Sequence, residues 1–292
     1  MPYLLLVLTT LFWSGNFVVS RGMHAEIPPF SLAFWRWIAA LVILCLFAVN
    51  HLYRQRQLIR RHLPFIVIQG LLGVAGFNTL VYLAIQTTTA INAVLINSII
   101  PVLIVVCSWI MYREVMTVRQ YFGVVVSLCG VILIIAHGEL TYLLKLRFNP
   151  GDLFIFTAAV VWALYSSNLR NYPKELHPLA YQSAIVVSGL LMLVPFYFFE
   201  LFTVGGFTVN GASVSTILYV ALFASVLAFI FWNRAVRTIG ANRAGPFIHL
   251  MPVFSTILAV IFLGETLQIY HLQGIGLIFI GIAMTTITLK HS

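Results

Sequence analysis

From Tyr82 to Ile134 the chain reads YLAIQTTTAINAVLINSIIPVLIVVCSWIMYREVMTVRQYFGVVVSLCGVILI. From Asn233 it reads NRAVRTIGANRAGPFIHLMPVFSTILAVIFLGETLQIYHLQGIGLIFIGIAMT. Pro101 answers Pro252 at an offset of 151. The same offset pairs Ala84 with Ala235, Ala90 with Ala241, Glu114 with Glu265, Gly123 with Gly274 and Gly130 with Gly281. One offset that carries a proline, a glutamate and two glycines marks a duplication, and the rest of the chain is read from it. The match extends forward: Trp13 answers Trp162, Arg21 answers Arg170 and Pro29 answers Pro178 at an offset of 149. The change of two residues is absorbed between the second and third apolar segments of each half.

Of the 292 residues, 61% are hydrophobic and 8% charged, where soluble domains carry roughly 25% charged residues. Most of the chain therefore has no water to face. Apolar runs of about 20 residues each predict ten spans, at 3–21, 30–50, 64–85, 91–112, 118–136, 151–169, 178–199, 213–235, 241–263 and 270–289. Breaks fall at Pro28-Pro29, at the basic run Arg54 to Arg61, at Asn149-Pro150-Gly151, at Pro173 and at Gly205-Gly206. A β-barrel would show shorter, alternating segments. The N-terminus has no basic region and no A-x-A cleavage site, and it matches an internal segment, so it reads as the first membrane helix. The expected domains are two five-helix repeats, 1–137 and 150–289. Five is odd, so the second half enters the membrane upside down relative to the first. The expected fold is an all-α polytopic membrane protein of ten transmembrane helices in two inverted repeats.

Charge placement tests this count. With a cytoplasmic N-terminus, the inside holds Arg54, Arg56, Arg60, Arg61, Arg113, Arg119, Arg170, Lys174, Arg234, Arg237, Arg243 and Lys290. The outside holds Arg21, Lys145 and Arg147, and Arg36 lies within a span. Twelve against three favours both termini in the cytoplasm, and explains the formal charge of +9 without nucleic acid. Cys45, Cys107 and Cys129 lie in apolar runs and read as small buried hydrophobes, with no disulfide framework or metal-ligand spacing. Gly123, Ser127 and Gly274 are small residues that permit close helix packing.

All seven acids, Glu26, Glu114, Glu139, Asp152, Glu175, Glu200 and Glu265, fall at or beyond span ends. A carboxylate at depth would be a functional candidate by default; its absence argues against a buried-carboxylate proton relay and against a dedicated cation site. No nucleophile elbow or phosphate-binding loop occurs, so an enzyme is not expected, and neither a metal nor a cofactor is implied.

The remaining candidates are polar and aromatic residues inside spans. Trp13, Asn16 and Ser20 share a face of span one, and Trp162, Tyr165 and Ser166 share a face of its mate. Asn78 and Tyr82 are four apart in span three, as are Phe229 and Asn233 in span eight, beside Trp232. Asn97 lies one turn before Pro101, and His249 three residues before Pro252. In lipid such side chains seek protein or water partners and should face inward. The expected substrate-binding set is Trp13, Asn16, Asn78, Tyr82, Asn97, Trp162, Tyr165, Trp232 and His249, with Pro101 and Pro252 as hinges. The bland reading is helix–helix glue for the amides and hydroxyls and a static kink for the prolines. Arg36 either meets a substrate carboxylate or snorkels to the outer interface. Glu114 and Glu265 are expected to tie span ends to neighbouring loops.

Five-span halves, the Trp13-Ser14 and Trp162-Ala163 pairs, the span-four proline and the glutamate where that span ends (REVMTVRQYFG and GETLQIYHLQG) resemble the EamA-type branch of the drug/metabolite transporter superfamily. The resemblance covers nearly the whole chain. It implies ten helices, both termini cytoplasmic, and a central cavity lined by spans one, three, four, six, eight and nine. Many relatives export amino acids or other small metabolites. The first span lacks the glutamate on which the four-span multidrug exporters depend, and Lys145, Lys174 and Lys290 all sit at loops or the terminus, which weighs against a phosphorylated substrate.

The function expected is a secondary transporter in a bacterial inner membrane, exporting or facilitating small neutral or zwitterionic metabolites. Amino acids, aromatic ones included, come first. Its partners would be that substrate and the bilayer; a monomer suffices, with oligomeric state open. The rival of the same architecture is a drug or toxic-compound exporter. A membrane enzyme, a scramblase and a receptor stand behind it.

Overall fold

The computed structural model describes residues 1–23, 26–84, 86–88, 90–139, 141, 143, 149–263 and 266–287. The side chains of Ser20 and Arg21, and residues Lys145, Arg147, Glu265 and Lys290, lie outside the described part. The described chain is helical. Eight helices are long and apolar enough to cross a membrane: α2 (Pro29–Arg54), α3 (Leu63–Ala84), α4 (Asn92–Tyr112), α5 (Val118–Ile135), α6 (Pro150–Asn171), α7 (Pro178–Thr203), α8 (Gly211–Ile239) and α10 (Ile269–Thr286). Packed with them are α1 (Pro2–Met23) and α9 (Leu250–Leu263). The segment 241–263, expected as one span with Pro252 as its hinge, is interrupted earlier: Ala241–Ala244 is followed by a 3₁₀ turn, Gly245–His249, before α9 begins.

The helix starts are written locally and written twice. Thr117 accepts from the Gln120 amide while the Gln120 side chain accepts from the Thr117 amide, a capping box that opens α5. Gln268 and His271 make the same reciprocal pair at α10, 151 residues on. Pro29 and Pro178 open α2 and α7, where a missing N–H costs nothing.

Interior irregularities also recur. A π-helical segment interrupts α3 at Gly70–Gly76 and α8 at Val220–Leu227. Its glycines let neighbours approach: a Cβ on Gly73 would lie 2.6 Å from the Tyr165 ring, and one on Gly70 would lie 2.7 Å from the Ile185 carbonyl oxygen. In α4 the helix breaks at Ser98-Ile99 and resumes at Ile100, so Pro101 lies in a first turn. Pro252 lies in the first turn of α9. Each proline thus follows a break in helical winding, where it removes no needed hydrogen bond.

Contacts between helices keep the same pattern when the halves are exchanged. α1 packs on α8 and α9, and its mate α6 packs on α3 and α4. α2 packs on α8 as α7 packs on α3, while the mates α2 and α7 pack on each other, as do α5 and α10. The last pair runs antiparallel on reciprocal glycines. A Cβ on Gly123 would meet the Gly281 carbonyl oxygen at 2.6 Å, and one on Gly130 would meet that of Gly274 at 2.5 Å. α2 and α7 are antiparallel too: Glu200, near the end of α7, accepts from the Phe30 and Ser31 amides (3.0 and 2.6 Å) at the start of α2. At the other end His51 stacks on His177, ring centroids 3.6 Å apart. Two packing groups result, α1/α8/α9 and α6/α3/α4, each drawn from both halves.

Candidate functional site

The two groups meet at repeat mates. Trp13 of α1 and Trp162 of α6 touch edge to face with ring centroids 5.0 Å apart. One layer away, Ser98 and His249, mates at the offset of 151, bond to each other: His249 Nε2 lies 2.9 Å from the Ser98 carbonyl oxygen. A carbonyl only accepts, so Nε2 carries the proton there. Nδ1 lies 2.7 Å from Ser127 Oγ, so both ring nitrogens are occupied.

Beside the tryptophan pair is a central cavity of about 40 Å³. It has room for a few waters, against roughly 300–1,000 Å³ for ordinary small-molecule pockets. Its wall includes Trp13, Asn16, Asn78, Asn97 and Trp162 of the expected set. Phe77, Phe229, Ile248 and Met251 supply apolar area, and Arg36 supplies a charge. Asn97 also borders a second cavity of about 60 Å³, shared with Ser98, His249 and Pro252. Its buried Oδ1 has no hydrogen-bond partner among the described residues.

Tyr82, Tyr165 and Trp232 stand behind the cavity wall. Tyr82 accepts from Arg36. Tyr165 and Trp232 are fully buried in a polar-pinned aromatic floor. Tyr165 donates to Asn233 Oδ1 at 2.8 Å, Asn233 donates to Gln182 at 3.1 Å, and Trp232 Nε1 donates to Ser166 Oγ at 3.2 Å.

Below that floor opens a cleft of about 640 Å³. Asn233, Gln182 and Tyr181 form its inner end, and Arg170, Lys174, Arg234 and Arg237 surround its mouth with Glu114. Glu114 pairs with Arg170, tying the end of α4 to the end of α6. Arg237 lies over the Tyr172 ring, 3.5 Å from its centroid. Burial pushes the Tyr172 hydroxyl up to about 12, with the Arg237 charge opposing it. The cleft separates the α6 side from the α8 side, so it divides the same two packing groups as the central cavity.

Arg36 is the residue whose place the sequence left open. It does not snorkel: it is 1% exposed. Small residues three before it and four after it, Ala33 and Ala40, are fully buried and mark the packed face of α2. That stripe is the signal that could have turned Arg36 inward.

Comparison with known proteins agrees with this architecture. The model of the EamA-like transporter family matches residues 1–136 and again 149–287. The chain belongs to that family. The uncharacterized transporter YyaM of Bacillus subtilis (strain 168) is 28% identical over 281 residues, covering 96% of this chain and 92% of YyaM. An uncharacterized transporter of Archaeoglobus fulgidus is 29% identical over 291 residues, covering 97% and 96%. A solved protein crystal structure superposes with a TM-score of 0.79 over 98% of this chain and 96% of its own, at 18% identity, a likeness of fold alone. As an EamA-family member with transporter relatives, the chain is a multi-pass membrane protein of the drug/metabolite transporter superfamily with a transport role.

Proposed function

We propose that this EamA-family protein is a secondary transporter, an exporter or facilitator, of small neutral or zwitterionic metabolites, with amino acids, aromatic ones included, as first candidates. The observation that carries the reading is the central cavity, which lies where Trp13 and Trp162 meet and has aromatic walls and amide groups. Aromatic rings suit the apolar part of such a substrate, and Asn16, Asn78 and Asn97 suit its polar end. The antiparallel mates α2/α7 and α5/α10 support a second half inverted against the first. Together with the basic mouth of the large cleft they support cytoplasmic termini in a bacterial inner (plasma) membrane. On this reading the cleft is the inward vestibule and the floor of Tyr165 and Trp232 is its closed gate. Transport is alternating access: the α1/α8/α9 group rocks against the α6/α3/α4 group, with bending at the breaks before Pro101 and Pro252.

Uptake of radiolabelled amino acids into proteoliposomes tests this. The reading expects saturable uptake of aromatic or branched amino acids, lost in Trp13→Ala and Trp162→Ala. No uptake across the panel, with export of hydrophobic drugs in a resistance assay, would replace it by the drug-exporter reading.

A further inference from the structure

Arg36 is a cation at depth with no ion-pair partner among the described residues. Its hydrogen bonds all go to neutral oxygens: Nε donates to Ser225 Oγ at 3.0 Å, and Nη1 donates to Asn78 Oδ1 at 3.1 Å and Tyr82 Oη at 2.7 Å. Glu200, the acid that packs against α2, is engaged at the start of that helix with the Phe30 and Ser31 amides and the Ser31 hydroxyl. The ion pair found among the described residues joins Glu114 and Arg170, in the large cleft. The guanidinium also lies over the Trp37 ring, 4.9 Å from its centroid, but a ring face and neutral acceptors do not fully replace the lost hydration of a buried charge.

The supports of this guanidinium are themselves irregular. Asn78 holds its orientation by donating to the Gly73 carbonyl, inside the π segment of α3. Ser225 lies in the π segment of α8 and donates to the Val220 carbonyl. Arg36, the one cation among the described residues of the cavity wall, is therefore aimed by the two repeat-matched distortions of the fold, one from each packing group. π-bulges of this kind concentrate at functional sites. The Nη2 group meets no acceptor among the described residues, and Arg36 lines the cavity. A guanidinium fixed at Nε and Nη1 with a free edge is a ready receptor for a planar anion.

We propose that Arg36 is the anion subsite of the central cavity and takes a carboxylate, so that the transported molecule carries one. A single guanidinium balances one negative charge, which fits a carboxylate and leaves a phosphate dianion undercompensated. Asn97 Oδ1, on the same wall, faces the opposite need: it lacks a donor, which the ammonium of a zwitterion supplies. The inference rests on the transport reading above and narrows it to carboxylate-bearing substrates. Because the Arg36 partners come from both packing groups, an anion docked there is felt by both.

The test is binding to the purified full-length protein, read by intrinsic tryptophan fluorescence, since Trp13 and Trp162 border the cavity. The probes are L-phenylalanine, its amide, phenethylamine and phenyl phosphate. The proposal expects saturable binding of L-phenylalanine, with the amide, the amine and the phosphate at least about tenfold weaker. Arg36→Gln should lose L-phenylalanine binding by about tenfold or more, and Arg36→Lys by less, because the ammonium keeps the charge and loses the fork. Where Arg36→Gln does not fold, the acid-against-amide comparison on the native protein decides alone. Equal binding of acid and amide, no saturable binding of L-phenylalanine, or unchanged binding in a folded Arg36→Gln protein overturns the proposal. Proteoliposome uptake separates the two readings. Arg36-dependent binding without amino-acid transport removes the transport reading and keeps the subsite; transport untouched by Arg36→Gln does the reverse.

Discussion

Gly274 and Gly276 lie two residues apart on α10 and answer differently to the same methyl group. A Cβ on Gly274 would sit 2.5 Å from Ile134 Cγ1 and 2.7 Å from the Gly130 carbonyl oxygen, and both must retreat beyond 3.0 Å. One of these is backbone, so the α5/α10 pair has to open. A Cβ on Gly276 would meet nothing within 4 Å. Both changes gain the same helix propensity, about 1 kcal/mol, so it cancels in the comparison. What remains is the overpacking cost at Gly274, about 1–3 kcal/mol. Gly276→Ala is expected to be neutral or stabilising by up to about 1 kcal/mol, and Gly274→Ala to be less stable than it by that overpacking cost. Reversible unfolding in mixed detergent micelles, followed by tryptophan fluorescence, measures both. Equal stability of the two variants would refute the close antiparallel glycine packing of the repeat mates.

Three further outcomes are expected. Glu200→Ala removes the acceptor shared by the first two amides of α2 and should cost about 1–2 kcal/mol in the same unfolding assay. Tyr165→Phe leaves buried Asn233 Oδ1 without its donor and should destabilise by about 1–3 kcal/mol, while loosening the floor between cavity and cleft. The ring of His177 is held neutral below the ordinary histidine range by partial burial and then by His51 stacked on it. The unfolded chain therefore binds this proton more readily, so the contribution is complete above about pH 6.5 and is lost as pH falls below it. Thermal stability should drop as pH falls below about 6.5 in the native protein and drop less in His177→Asn, whose side chain can still cap α7.

Much of this architecture was legible because membrane helices announce themselves by length and apolarity, and because a duplication writes each feature twice. The span limits read from 64–85 and 118–136 nearly coincide with Leu63–Ala84 and Val118–Ile135. The family resemblance also held. The site was legible only in part, since helical spacing assigns residues to a face without saying what covers that face. Trp13 and Trp162 reach the cavity, whereas Trp232, on the mate of α3, is sealed behind it by its bond to Ser166. Arg36 could turn either way on sequence grounds because its long stem reaches interface or interior equally; the acceptors that hold it come from α3 and α8, 42 or more residues distant in the chain. The π segments left no periodic signature: one added residue per turn does not disturb an apolar run. The bond between Ser98 and His249 could be read only once the halves were folded on each other.

On the transport reading the two packing groups move against each other across the cleft. Lys174 and Thr238 are exposed on its opposite walls, and spin labels placed there report its width once Cys45, Cys107 and Cys129 are replaced. Alternating access predicts a broad or two-peaked distance distribution without ligand, shifted to shorter distances by a transported amino acid. A single distance, the same with and without saturating substrate, would contradict it.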